Sequence, residues 1–378
     1  EIRLSLVGSE MCIRDRYGPA VKKYLAASFI MAAAALAWPV AALAVQPGEL
    51  QVVAELPLRP GNVAVSKQGR VFATVHPLDA PRGVQLIEVT AGNRYRAWPG
   101  TAVQSDGKRH TAATLDSPLG IYIDGKNRLW IADMGFHVEK TRIWAFDIST
   151  GKQLHRIELP ADIAPKGSFI QDLVVDDKTG WIYLADIAKP GLIAVEIATG
   201  KSRRFGESPV LQAEPNAVMR IGGQDVQFQG QPAAVGVNPI TLSADGQQLF
   251  FGAMTGTRWY SVPTRLFRDG ATDETIAAAI RQVGDKPISD GATTTAGGSH
   301  FFTNMNENGI DRLEADGRLT PVVRDARLDW PDSVRFGADD WLYIAVNQLH
   351  RSQGFSGTEE TGKPPYRIMR VWTGDAKP

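Results

Sequence analysis

The chain has 378 residues carrying 41 basic and 41 acidic side chains, so its formal net charge is zero at neutral pH. It has no long basic run. Phosphate binding needs a concentrated positive footprint, so nucleic acid is set aside as a partner. The single cysteine, Cys12, rules out an internal disulfide.

Residues 1–16 include Ser5-Leu6-Val7-Gly8-Ser9-Glu10-Met11-Cys12-Ile13-Arg14-Asp15-Arg16, which resembles translated sequencing-adaptor sequence and is excluded from fold reasoning. Residues 17–44 have the grammar of a secretory signal peptide. Lys22 and Lys23 form a positive start, Tyr24 to Val40 is apolar and Ala-rich, and Ala42-Leu43-Ala44 is a small-x-small cleavage site. Pro39 near the end of the apolar run argues against a spanning helix, which needs about 20 apolar residues. The expectation is a secreted or periplasmic protein cut after Ala44, with residues 45–378 as one domain and no membrane span. Removing the leader takes away Arg3, Arg14, Arg16, Lys22 and Lys23 with Glu1, Glu10 and Asp15, leaving a net charge of −2. It also removes Cys12, and with it any thiolate nucleophile or Cys-bound metal.

From Asn62 onward one phrase recurs six times: an apolar strand, a turn on Gly or Asp, and a second strand rich in aromatics. Opening strands are predicted at Asn62–Val65, Gly120–Ile123, Asp172–Val175, Pro239–Leu242, Gly291–Thr294 and Ser333–Phe336. Their partners are predicted at Val71–Thr74, Leu129–Ala132, Ile182–Ala185, Leu249–Phe251, Phe301–Thr303 and Leu342–Ala345. The turns between them carry residues that tolerate positive φ. Arg142–Ile148 and Gly191–Ile197, each running into Thr-Gly-Lys, read as one third-strand element used twice. A unit this small cannot bury both faces alone, so the units must stack. The predicted fold is all-β: a six-bladed β-propeller with four-stranded antiparallel blades around a central channel.

Insertions lengthen some repeats. Thr272 to Val283 reads as a helix capped by Thr272, placed between blades four and five and covering one end of the channel. Phe205 to Val235 is polar and Gly-rich, and reads as a long hairpin or flap over the same region. The tail strand Tyr366–Trp372 is expected to close the ring with the mature N-terminus.

Aligning the opening strands places Gly61, Leu119, Gln171, Asn238, Asp290 and Asp332 in one ring, and Asn62, Gly120, Asp172, Pro239, Gly291 and Ser333 in the next. The oxygen-bearing members, Asn62, Gln171, Asp172, Asn238, Asp290 and Asp332, suit Ca²⁺ or another divalent cation, which takes six to eight oxygens. Asn238, Asp290 and Asp332 are the candidate metal ligands. Asp and Asn before a strand also serve simply to bond nearby backbone, and one such residue alone is no site. The six histidines have no H-x-x-x-H or H-x-H spacing, which disfavours zinc. His137 reads as a surface histidine, with a general base facing a ligand as the alternative, and His300 as structural; the strand aromatics read as inter-blade packing, with a pocket contact as the alternative for Trp259-Tyr260. Neither a Gly-x-Ser-x-Gly elbow nor a phosphate loop is present.

Several strings resemble the yellow / major royal jelly protein family: Gln171-Asp172-Leu173-Val174-Val175-Asp176, Asn238-Pro239-Ile240-Thr241-Leu242-Ser243, Ser289-Asp290-Gly291, Trp330-Pro331-Asp332-Ser333 and Asn347-Gln348-Leu349, with Leu115-Asp116-Ser117-Pro118-Leu119-Gly120 and Asp133-Met134-Gly135. The resemblance implies a secreted six-bladed propeller with a small-molecule pocket at one end of the channel. On that basis Asn347 joins Asp172, Asn238, Asp290 and Asp332 as candidate ligand-binding residues, for an aromatic amine or catechol-like molecule, in a monomer. A more distant resemblance links Asn238-Pro239 and Asp290-Gly291 to the gluconolactonase / regucalcin propellers, where Asn, Asp and an N-terminal Glu hold a metal. Here Pro239 stands in place of Gly, and Glu55 is the available Glu. The alternatives are therefore a metal-dependent gluconolactonase-like hydrolase or a dopachrome-type tautomerase.

Overall fold

Short apolar runs separated by Gly and Asp turns fold here into six four-stranded antiparallel sheets. The computed structural model describes residues 45–375, apart from 82, 106 and 108. The adaptor-like segment 1–16 and the signal segment 17–44 lie outside the described residues. The opening strands are Pro60–Val65, Pro118–Ile123, Ile170–Asp176, Val237–Leu242, Ala292–Thr294 and Pro331–Phe336. Each touches the opening strands of the blades on both sides, and that of blade six touches that of blade one. The sheets thus form a ring with these strands innermost, as predicted.

Blade faces pack on one another through buried side chains. Between blades three and four lie Tyr183, Leu192, Phe251, Tyr260 and Val262. Trp130, Trp144 and Trp259 are fully buried. Each large apolar side chain removed from water stabilises the fold by about 1.5–3 kcal/mol. Trp259 packs edge-on to Phe302, so the Trp259-Tyr260 pair belongs to the blade core and does not reach a pocket.

The ring is closed by both ends of the described chain. Leu50–Leu56 pairs with Tyr366–Val371, which pairs with Leu342–Val346 and through it with Pro331–Phe336. Glu55 therefore lies in the outermost strand of blade six, where its Oε1 accepts from Arg367 Nε at 3.0 Å. That position is across the sheet from the channel, which excludes Glu55 as a channel metal ligand.

Two insertions differ from expectation. The helix is shorter, Asp273–Ala279, with Thr272 Oγ1 accepting from Thr275 N as its cap. Residues Arg281–Asp285, including Val283, form the fourth strand of blade four. The helix is therefore a link inside blade four, not between blades. With Thr264–Arg268 it packs on the outer strands of blades three and four rather than over the channel. The apolar stripe continues to Val283, but the chain leaves the helix after Ala279. The second insertion, after the strand Ser202–Gly206, folds as two small hairpins, Arg220–Ile221 with Gln224–Asp225 and Gln227–Phe228 with Gln231–Pro232. It lies at the end where the opening strands begin, and packs there on Trp330, Leu349 and Phe355. Among the described residues no helix is long and apolar enough to cross a membrane.

Candidate functional site

In five blades the ladder between first and second strands breaks near its start. The breaks fall at Pro60/Val63, Pro118/Ile121, Ile170/Asp172, Val237/Ile240 and Pro331/Val334. A bulge leaves residues unpaired and re-aims their side chains. The residues left unpaired include Asn62, Gln171, Asn238 and Asp332, all members of the predicted ring. In blade five pairing starts only at Ala292, with Asp290 and Gly291 just before it. Thr303 Oγ1 accepts from the backbone N of both Asp290 and Gly291, at 2.9 and 3.1 Å, and fixes them.

Four predicted residues meet in one cluster through Gln171. Its Nε2 donates to Asp290 Oδ1 at 3.1 Å and to Asp332 Oδ1 at 3.4 Å. Asn238 Nδ2 donates to the same Asp290 Oδ1 at 2.5 Å, and Trp330 Nε1 donates to Asp290 Oδ2 at 2.7 Å. Asn347 Nδ2 donates to Asp332 Oδ2 at 2.7 Å and to Pro60 O at 3.0 Å. Asp172 stands apart from these contacts. Its Oδ1 is 2.5 Å from Arg335 Nη2 across the channel and also accepts from Leu173 N. Asn62 bonds through its backbone, and its amide oxygen is buried without a partner, as is that of Asn238.

The charge balance of this cluster is unusual. Asp290 and Asp332 are both buried, and every side-chain donor to them is neutral. Burial pushes Asp290 up to about 7, with the nearby Asp172 charge adding to the rise. Burial raises Asp332 well above the usual carboxylate range, and Asp290 raises it further. Asp172 is also raised by burial, against the pull of Arg335. Two buried like charges without a counter-charge are costly, so the pair either holds protons or attracts a cation. The free amide oxygens of Asn62 and Asn238 are further hard donors suited to a cation.

Sequence reasoning missed Trp330. It has φ +61, a left-handed conformation that a bulky residue adopts only under constraint, and its ring stacks on His350 and meets Phe355 edge-on at 4.9 Å. The string Trp330-Pro331-Asp332 was its only sequence signal. Met219, Met254, Met305, Leu349 and Phe355 complete an apolar cap against Trp330. The predicted residues are consequently covered rather than open to solvent. Two cavities of about 220 and 230 Å³ lie at the opposite end of the channel, on either side of Tyr122 and Arg335.

His300 is buried, its Nδ1 2.8 Å from Thr294 Oγ1, and burial lowers it to about 4, as a structural histidine should be. His137 does not stand alone, since it stacks on His110 beside Asp116. Local spacing is blind to that contact, because the two histidines come from different loops.

A family model described as major royal jelly protein matches residues 116–357. The chain is 24% identical over 261 residues to Protein yellow of Drosophila melanogaster, covering 63% of this chain and 48% of that protein. It is 27% identical to Protein yellow of Drosophila pseudoobscura pseudoobscura, covering 63% and 46%. The match thus spans about half the length of these relatives. Among solved structures, a gluconolactonase from Xanthomonas campestris superposes with a TM-score of 0.54 at 16% identity, covering 88% of this chain and 92% of that one. A regucalcin from Agrobacterium tumefaciens, described as a calcium-binding protein, gives 0.52 at 14%, covering 88% and 98%. Identities this low show a shared fold.

Proposed function

The chain belongs to the major royal jelly protein family, and we propose that it binds a small cationic molecule of the aromatic amine class at the capped mouth of its channel. The observation that carries this reading is the buried pair Asp290 and Asp332, which has neutral donors and, among the described residues, no basic partner. An ammonium group would supply the missing charge and donate to the oxygens of Asn238, Asp290 and Asp332. Trp330, which meets Asp290 through its indole N–H, and Phe355 wall the site beside it. Asn347 and Gln171 orient the carboxylates. Asp172, paired with Arg335, acts on the ligand only through its charge. Entry requires the two small hairpins to lift off Trp330 and Phe355.

Thermal shift with serotonin and dopamine at millimolar concentration tests the reading. Stabilisation by an amine is expected, and it should vanish in Asp290→Asn. No response to any amine, with the protein folded, would sink it.

A second reading rests on the two buried carboxylates together with the unpartnered amide oxygen of Asn238, an all-oxygen donor set of the kind a hard divalent cation takes. Asn238, Asp290 and Asp332 would hold a divalent ion such as Ca²⁺. Such an ion, when bound, polarises a carbonyl and activates water for lactone hydrolysis. Loss of stability in EDTA, restored by Ca²⁺ and indifferent to amines, would favour this reading over the first.

A further inference from the structure

We propose that His110, Asp116 and His137 form a binding site for a borderline divalent transition metal, Zn²⁺ or Cu²⁺, sharing no residue with the Asp290 cluster. The three residues come from two loops at the end of the propeller where the opening strands begin. His110 lies in the loop entering blade two, Asp116 just before the strand Pro118–Ile123, and His137 in the loop after Arg128–Asp133. Their ligand atoms all lie within 4.8 Å of one another.

The carboxylate is the fixed element. Its side chain is wholly buried, and Oδ2 accepts from His137 N at 2.7 Å and Val138 N at 3.0 Å. Oδ1 is thereby aimed at both imidazoles, 2.8 Å from His110 Nδ1 and 2.6 Å from His137 Nδ1. Ser105 Oγ, 3.1 Å from His110 Nδ1, supplies a further oxygen.

Donor chemistry selects the metal. Two imidazole nitrogens and one carboxylate oxygen suit Zn²⁺ or Cu²⁺, whereas Ca²⁺ needs six to eight oxygens. The rings stack with centroids 3.7 Å apart and their planes 7° from parallel. A nitrogen lone pair lies in the plane of its own ring, so a shared ion requires the rings to splay. His137, with its side chain 60% exposed, is the ring free to turn, while His110 is held at Ser105.

The test is titration of the untagged full chain with Zn²⁺ by calorimetry, in excess Ca²⁺ to occupy oxygen-only sites. Co²⁺ then serves as a spectroscopic probe. One equivalent of Zn²⁺ should bind, and Co²⁺ should give visible absorption typical of nitrogen ligation. His137→Ala, at an exposed position, should leave the thermal melt unchanged yet weaken binding by about tenfold or more, a loss that even outer partners of metal ligands can cause. His110→Ala should do the same. The proposal is overturned if no saturable binding occurs, or if both histidine variants bind as well as the parent.

Discussion

Asp290 is the side chain on which the mouth cluster turns, and its titration has a definite sign. Its folded carboxyl is raised by burial to about 7 from an ordinary value of 3.8. Between those values the folded chain keeps a proton that the unfolded chain has shed. Stability from this group is therefore full at low pH and lost as pH rises through about 4 to about 7. Urea midpoints should fall from about pH 4 to about pH 7, and Asp290→Asn should flatten that fall; an unaltered slope would mean that the charge is balanced elsewhere. Amine binding should strengthen over the same interval, because the carboxylate becomes available. The sequence made the cluster legible because Gln171, Asn238, Asp290 and Asp332 occupy one alignment position. It could not separate Asp172 from them, since the Arg335 contact crosses the ring from blade three to blade six. It missed the His110–His137 pair for the same reason: loop-to-loop contact leaves no local pattern.

Strands were the most legible elements, because a period of two with Gly or Asp turns has few other readings. The Thr272–Val283 stripe was ambiguous, and the strand ladder to Arg258–Pro263 overrode helix periodicity after Ala279. The bulges were invisible, since they arise where neighbouring blades crowd the channel. Crowding also explains two mouth glycines. A Cβ on Gly291 would sit 2.5 Å from Asp332 O and 2.8 Å from Ser333 Cα, and one on Gly120 would sit 2.8 Å from Gln171 O. These neighbours are backbone of the next blade and cannot swing aside. Gly291→Ala should therefore cost about 1–3 kcal/mol in urea unfolding and weaken mouth binding. Gly100→Ala is the control, because its Cβ meets nothing within 4 Å. Equal stability of the two variants would refute the close approach of blades five and six.

For the molecule as a whole, closure depends on one strand from the start of the described chain. Deleting residues 45–56 should leave blade six with an unpaired Tyr366–Val371 edge and turn one cooperative thermal transition into a broad or early one. A sharp melt at the parent temperature would show that the ring holds without it. The tail was legible as a strand, but its register with Leu50–Leu56 was not, because pairing partners so far apart in order share no local signal.

That pairing also sets a schedule. A ribosome delivers Leu50–Leu56 before every opening strand and Tyr366–Val371 after all of them, so blade six cannot be completed until the strands of the other five have been made. Five blades can form on the nascent chain while the first strand waits without a partner. During that wait it is a template for mispairing with other chains. Folding yield should therefore depend on how that strand is shielded before release.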